Sequence, residues 1–210
     1  MAKINVNPTR MELNKLKARL KTATRGHKLL KDKTDEMIRR FSVLIRENKR
    51  QRDDVEADVA AALTQFSVAR GFMSPSDTLL NFSMPSVSAD VECEKGYVMN
   101  LAVPKLTLND GKTENPFPYS FAEVTSEADY SVQLMGKLLP KLVKLAETEK
   151  TVMMLADEIE KSKRRVNALE FVMIPNLEET IKSISMKLEE SDRSSRTRLM
   201  KVKSMLEERR

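Results

Sequence analysis

The run LAETEKTVMMLADEIEKSKRRVNALEFVM, from Leu145 to Met173, decides the fold. In it Leu145, Thr148, Val152, Leu155, Ile159, Ser162, Val166, Leu169 and Met173 fall alternately three and four residues apart. That spacing draws one narrow stripe along a helix, and such a stripe needs a second helix to bury it. The other end of the chain supplies one. Leu13, Leu16, Leu20, Ala23, His27, Leu30, Thr34, Met37, Phe41 and Leu44 keep the same alternation. Two such helices joined by a middle that folds back predict an all-α dominated architecture: a long antiparallel two-helix coiled coil with a small β-hairpin and loop cap between the helices.

Composition agrees with that expectation. The 210 residues include 5 Gly, 8 Pro and no Trp, with 5% aromatic and 32% charged side chains. Long helices need few turns, and a narrow seam has no room for many rings. The single cysteine, Cys93, excludes an internal disulfide and fits a reducing compartment. The start of the sequence is too polar for a signal peptide, and no run approaches a membrane span of about 18 apolar residues. A cytoplasmic protein without direct membrane insertion is expected.

The net charge of +6 conceals a division along the chain. Residues 1–50 hold 15 basic and 5 acidic side chains, and residues 53–130 hold 4 basic and 13 acidic ones. With antiparallel helices both termini lie together, so one end of the rod is basic. Lys15, Lys17, Arg19 and Lys21 would share that tip with Arg193, Arg196, Arg198, Lys201 and Lys203. Solvated helix faces account for such charges equally well, whereas the functional reading is a tip that seeks an acidic surface.

Thr9, after Asn7-Pro8, is placed to cap the first helix, with Glu12 completing a capping box. No proline follows until after Arg70, so the expected N-terminal helix covers residues 1–70. Gly26 lies inside it, and His27 falls on the seam, where a polar residue fixes register more often than it adds stability. One His without a Cys cluster makes neither a zinc site nor a nucleophilic triad. Gly71 and Ser74-Pro75-Ser76-Asp77 end the helix and open an acidic, Pro- and Ser-containing cap over residues 71–120. There Val87, Ala89, Val91 and Cys93 alternate, as do Met99, Leu101 and Val103, with Glu94-Lys95-Gly96 as the expected hairpin turn. A third strand is expected over Lys105 to Leu108, followed by a turn at Asn109-Asp110-Gly111 and a rigid loop over Asn115 to Tyr119.

The return helix, residues 121–210, contains Pro140 and Pro175. Pro175 removes the amide that would bond the carbonyl of Phe171. Around it the seam reads Leu169, Met173, Leu177, Ile181, Ile184 and Leu188, a spacing stretched toward 3.8. A stutter of this kind locally unwinds a left-handed supercoil, so a kink or altered coil is expected between Phe171 and Leu177.

Motifs for catalysis are missing from the sequence. Gly136-Lys137 is followed by Leu138 and lacks the leading glycine of a phosphate-binding loop. Paired cysteines, a dinucleotide fingerprint and a nucleophile elbow do not occur either. Carboxylates such as Asp157, Glu158 and Glu160 lie beside Lys161, Lys163 and Arg164, where pairing one helical turn apart explains them. No cofactor, metal or catalytic residue is expected.

Asn7-Pro8-Thr9-Arg10-Met11-Glu12-Leu13 and the run Arg25 to Lys33 resemble the D subunit, the central rotor-stalk subunit, of the V-type and archaeal-type rotary ATPases. Arg164-Arg165-Val166-Asn167-Ala168-Leu169-Glu170, then Ile174-Pro175, Leu177-Glu178 and Thr180-Ile181, are similar to the same family. The resemblance covers the chain in order, apart from the middle between about Gly71 and Tyr119. It implies a non-catalytic central rotor shaft whose termini enter a ring of catalytic and regulatory subunits. It also implies that the F subunit of the central stalk clasps the coil and that the lower end seats on a funnel-like subunit above the membrane rotor. Two other classes compete on composition alone, a cytoplasmic coiled-coil tether and a basic nucleic-acid-binding coiled coil. For the second, the helices offer few aromatics for stacking and no groove-reading module.

Overall fold

The computed structural model describes residues 6–83, 88–110, 117, 119 and 124–208. Helix α1 runs from Arg10 to Gly71 and α2 from Pro75 to Phe82. Strands β1, Ala89–Val98, and β2, Leu101–Asp110, form an antiparallel pair. Helix α3 spans Ser126–Ala168, a π-turn covers Leu169–Met173, and α4 continues over Ile174–Glu207. Two long helical regions with a small hairpin between them are thus the fold. Several expectations lie outside the described residues: Val87 at the start of the first strand, Gly111 of the Asn109 turn, and the loop from Asn115 to Tyr119 apart from Phe117 and Tyr119.

Local chemistry sets the helix ends. The Glu12 amide donates to Thr9 Oγ1 at 3.3 Å, satisfying one of the unpaired amides at the start of α1. At its far end α1 stops at Gly71, as the sequence suggests. The Ser74 segment does more than break the chain. Ser74 is extended and Pro75 occupies the first turn of α2, where its missing amide costs nothing.

The chain divides into two compact units, Met1–Glu36 with Ile159–Arg210 and Met37–Glu158. In the first unit two helical segments run antiparallel. Arg10 Nη2 lies 2.7 Å from Asp192 Oδ2, and His27 Nε2 lies 3.2 Å from Glu170 Oε2. Between these levels Leu16, Ala23, Leu177 and Ile184 form a buried cluster flanked by Leu13, Leu20, Ile174, Ile181 and Leu188. The α1 positions in this cluster repeat by seven: 13, 20 and 16, 23. On the facing segment Val166, Ile174, Ile181 and Leu188 are separated by eight, seven and seven, and Ser162, Leu169, Leu177 and Ile184 by seven, eight and seven. Both lines skip one residue at the same place.

The π-turn absorbs that extra residue. Its wider ring places the Ile174 amide on the Leu169 carbonyl, five residues back, so the stripe keeps facing α1. Pro175 follows directly and withholds the amide an α-helix would offer Phe171. The altered coil expected near Phe171 is therefore a π-turn. One seam assignment changes with it: Met173 is 43% exposed, and Ile174 packs on the cluster in its place.

In the second unit α1 and α3 segments are again antiparallel. Thr148 Oγ1 donates to Gln51 Oε1 at 3.0 Å, Arg52 Nη1 lies 3.5 Å from Glu149 Oε1, and Lys141 pairs with Asp58. Met37, Val55, Ala62, Ala69, Leu138 and Leu155 are buried. Pro140 sits inside α3, which continues through it. At the cap end Phe82 meets Phe66 edge-on at 5.7 Å and Tyr119 at 5.3 Å. The Tyr119 hydroxyl donates to Asp129 Oδ1 at 2.7 Å, tying the cap to the start of α3.

The hairpin differs from expectation in its turn. Glu94, Lys95 and Gly96 lie within β1, and the chain reverses at Met99-Asn100. Both residues have positive φ, 51° and 67°. A two-residue turn needs this left-handed pair to match the twist of its strands, and Asn tolerates it while Met does not advertise it. The expected third strand, Lys105 to Leu108, is the second half of β2.

Candidate functional site

The basic residues singled out in the sequence occupy two successive bands in the first unit. Lys15, Lys17, Arg19 and Lys21 are exposed on the early turns of α1. Arg193, Arg196, Arg198, Lys201 and Lys203 are exposed on the last turns of α4. The Arg10–Asp192 pair sets their relative level. Helix α1 begins at Arg10, so residues after Asp192 extend α4 past it, while Lys15 to Lys21 lie beside the earlier turns of α4. Within the bands some charge is already paired: Lys15 Nζ to Glu12 at 2.8 Å and Lys203 Nζ to Glu207 at 3.7 Å. Lys17, Lys21 and Arg25 line a shallow groove with Leu20, Thr24 and Ile181, and Arg193 and Arg196 line another with Thr197 and Met200.

Apolar surface accompanies the second band, which charge counting alone misses. Leu199, Met200, Val202, Met205 and Leu206 are 52–71% exposed. Leu199, Val202 and Leu206 carry the three-and-four alternation beyond the point where α1 begins, a signal that was legible in the sequence. Among the described residues, this end of α4 thus presents a seam edged with cations and no facing turn of α1.

Of the register residues, His27 meets the π-turn through its contact with Glu170, Gly26 precedes it in α1, and Pro175 follows five residues after Glu170. A Cβ on Gly26 would meet nothing within 4 Å, so crowding is not the reason for glycine there. His27 is mostly covered, with 18% of its side chain exposed, and its partner is a carboxylate. That arrangement suits a structural bridge between the two segments. On the outer side of the π-turn Phe171 and Val172 are 66% and 57% exposed.

In the cap, burial and the hydrogen bond and charge of Asp129 push the Tyr119 phenol well above its ordinary range. The hydroxyl therefore stays a donor and holds its contact. Among the described residues no three His, Cys, Asp or Glu side chains gather as a metal site would require. Among the same residues no helix is long and apolar enough to cross a membrane. What the surface offers is a set of contact faces: two cationic bands, an apolar seam and an open hairpin.

Comparison with known proteins gives a consistent family. The family model described as the ATP synthase D subunit matches residues 12–204. The chain is 48% identical over 206 residues to the V-type ATP synthase D subunit of Thermoanaerobacter sp. (strain X514), covering 98% of this chain and 99% of the relative. It is 50% identical over 210 residues to the V-type ATP synthase D subunit of Clostridium botulinum (strain ATCC 19397 / Type A), covering 99% and 97%.

Proposed function

The chain belongs to the family of ATP synthase D subunits, and from that premise we propose that it is the central rotor shaft of a V-type or archaeal-type ATPase. It transmits torque between the ATP-hydrolysing ring and the membrane rotor that moves ions, and it performs no chemistry of its own. The observation that carries this reading is the pairing of long antiparallel helical segments in both units, together with an end that has cations and an apolar seam exposed among the described residues. A shaft needs stiffness along its length and a surface that biases each neighbour differently as it turns.

In this layout residues 1–70 and 121–210 form the shaft and residues 71–120 form its cap. The basic bands and the α4 seam enter the pore of the ring of catalytic and regulatory subunits. The F subunit of the central stalk clasps the coil, and the funnel-like subunit receives the opposite end. The protein is cytoplasmic and peripheral to the membrane as part of a membrane-bound complex.

Single-molecule rotation tests the proposal. Cys93 is replaced by serine, Asn100 at the hairpin turn by cysteine, and a bead is coupled there in the assembled ATPase with its ring fixed to glass. Stepwise rotation on adding ATP is expected. A bead that stays still while the same complexes hydrolyse ATP would refute the rotor role.

A further inference from the structure

The hairpin has two outer edges, and they are treated differently. The Leu106 amide points away from β1 and donates to Glu147 Oε2 at 3.0 Å. Leu106 faces Cys93 in the register, so this pair is one whose backbone groups point outward, and the same holds for every second pair along the ladder. On β2 the outward positions therefore include Leu106, closed by Glu147, and Pro104, which has no amide. A proline and a covered amide are the devices by which proteins blunt a sheet edge. On β1 the outward positions are Ala89, Val91, Cys93, Lys95 and Tyr97. The first four are exposed and Tyr97 is 74% exposed.

We propose that the outer edge of β1, unpaired among the described residues, accepts a third strand from a basic, extended segment of a partner subunit in the same complex. A two-stranded ribbon is marginal by itself, and one added strand gives it the minimum for independent stability. Backbone pairing fixes the strand in this mode of recognition, and side chains at alternate positions select it. Charge identifies the occupant. Asp90, Glu92 and Glu94 share one face of β1. Glu94 already faces Lys105 across the hairpin, but Asp90 faces Asn109 and Glu92 faces Thr107. A strand with Lys or Arg at every second position would complement those two carboxylates.

A second copy of this chain is a poor occupant by the same reasoning. Antiparallel self-pairing centred on Cys93 sets Glu92 against Glu94, and centring on Val91 sets Asp90 against Glu92.

The inference rests on the reading of the chain as an assembled ATPase subunit, so assembly is scored separately by co-purification. Residue-resolved amide hydrogen exchange is measured on the isolated chain and on the assembled complex. The amides of Val91, Cys93, Lys95 and Tyr97 should exchange at least about tenfold more slowly in the complex, while those of Glu92 and Glu94, already bonded to β2, change little. The double variant Asp90→Lys, Glu92→Lys keeps the edge and should co-purify yet lose that protection. Outward amides that exchange equally fast in both states, in a complex that does assemble, would overturn the proposal alone. Protection that grows with concentration of the isolated chain would overturn it in favour of self-pairing. Failure of the wild-type chain to co-purify would instead remove the rotor reading and this inference with it.

Discussion

Deleting Val172 together with Pro175→Ala should leave the first unit folded, although losing one residue from a long helix ordinarily destroys its packing. An α-helix advances about 100° per residue, so a deletion rotates everything downstream off its seam. At the π-turn the arithmetic runs the other way. Val166 to Ile174 and Leu169 to Leu177 each span eight residues, and removing one returns both to seven. Val172 is 57% exposed, so little burial leaves with it. Pro175→Ala supplies the amide that a regular helix needs, which otherwise would cost about 3 kcal/mol. The expected change in stability is within about 1 kcal/mol, from loss of one partly covered side chain. Deleting Lys182 is the control. It turns Ser185 and Glu189 into the places of Ile184 and Leu188 and sets Arg193 opposite Arg10 where Asp192 stood. Two apolar side chains leave the seam, Ile184 buried and Leu188 partly buried, together worth about 2–5 kcal/mol. Urea unfolding followed by circular dichroism separates the cases, since roughly 2–5 kcal/mol moves a midpoint by about 1–2.5 M at a slope of about 2 kcal/mol/M. Equal losses in the two deletions would refute the claim that the π-turn absorbs a skipped residue.

Three further outcomes are expected. Gly26→Ala should stabilise the chain by about 0.5–1 kcal/mol, because the added methyl meets open space and the unfolded chain loses freedom; a lower urea midpoint would contradict this. Tyr119 is neutral in both folded and unfolded chains below about pH 10, but its folded pKa is raised, so above that pH the unfolded chain ionises first and stability falls. Tyr119→Phe should flatten the alkaline decline measured by urea unfolding between about pH 9 and 11, and an unchanged slope would show that the phenol is not held as described. Neutralising any one of the nine band lysines and arginines should change ring binding little, since exposed charge contacts are worth about 0–1 kcal/mol each. Neutralising four or more should weaken binding and reduce its salt dependence, and identical salt slopes for variant and wild type would eliminate the charged-band mechanism.

The seam was legible because its period is set by helix geometry and many residues report it together. Leu13 to Leu44 and Leu145 to Leu169 each give the same answer many times over. The disturbance at Pro175 was legible for a different reason, since a missing amide is written in the residue type. Its form was not, because a π-turn is chosen by whether the downstream stripe must face a partner, which only the packed unit decides. The sequence points to a hairpin turn at Glu94-Lys95-Gly96 because glycine is the stronger local signal. Register across the ladder instead forced Met99 and Asn100 into positive φ. Among the site residues, charges are visible by counting and the alternation of Leu199, Val202 and Leu206 by spacing, whereas their position past the start of α1 shows only when α1 is seen to begin at Arg10.

The skipped residue also governs how this chain can be recombined. Segments of a regular coiled coil can be exchanged between relatives at any pair of equivalent heptad positions, because every junction has the same phase. Here α1 keeps one phase through the first unit, while its partner has one phase up to Leu169 and another from Ile174 onward. A chimaera joined before Leu169 must import the donor's π-turn with its α4, and one joined after Ile174 must retain the host's. A graft that takes α4 from a chain with a skip into one without it, or the reverse, rotates the whole basic end by about 100° relative to α1. Its heptads would still look intact when each half is read alone.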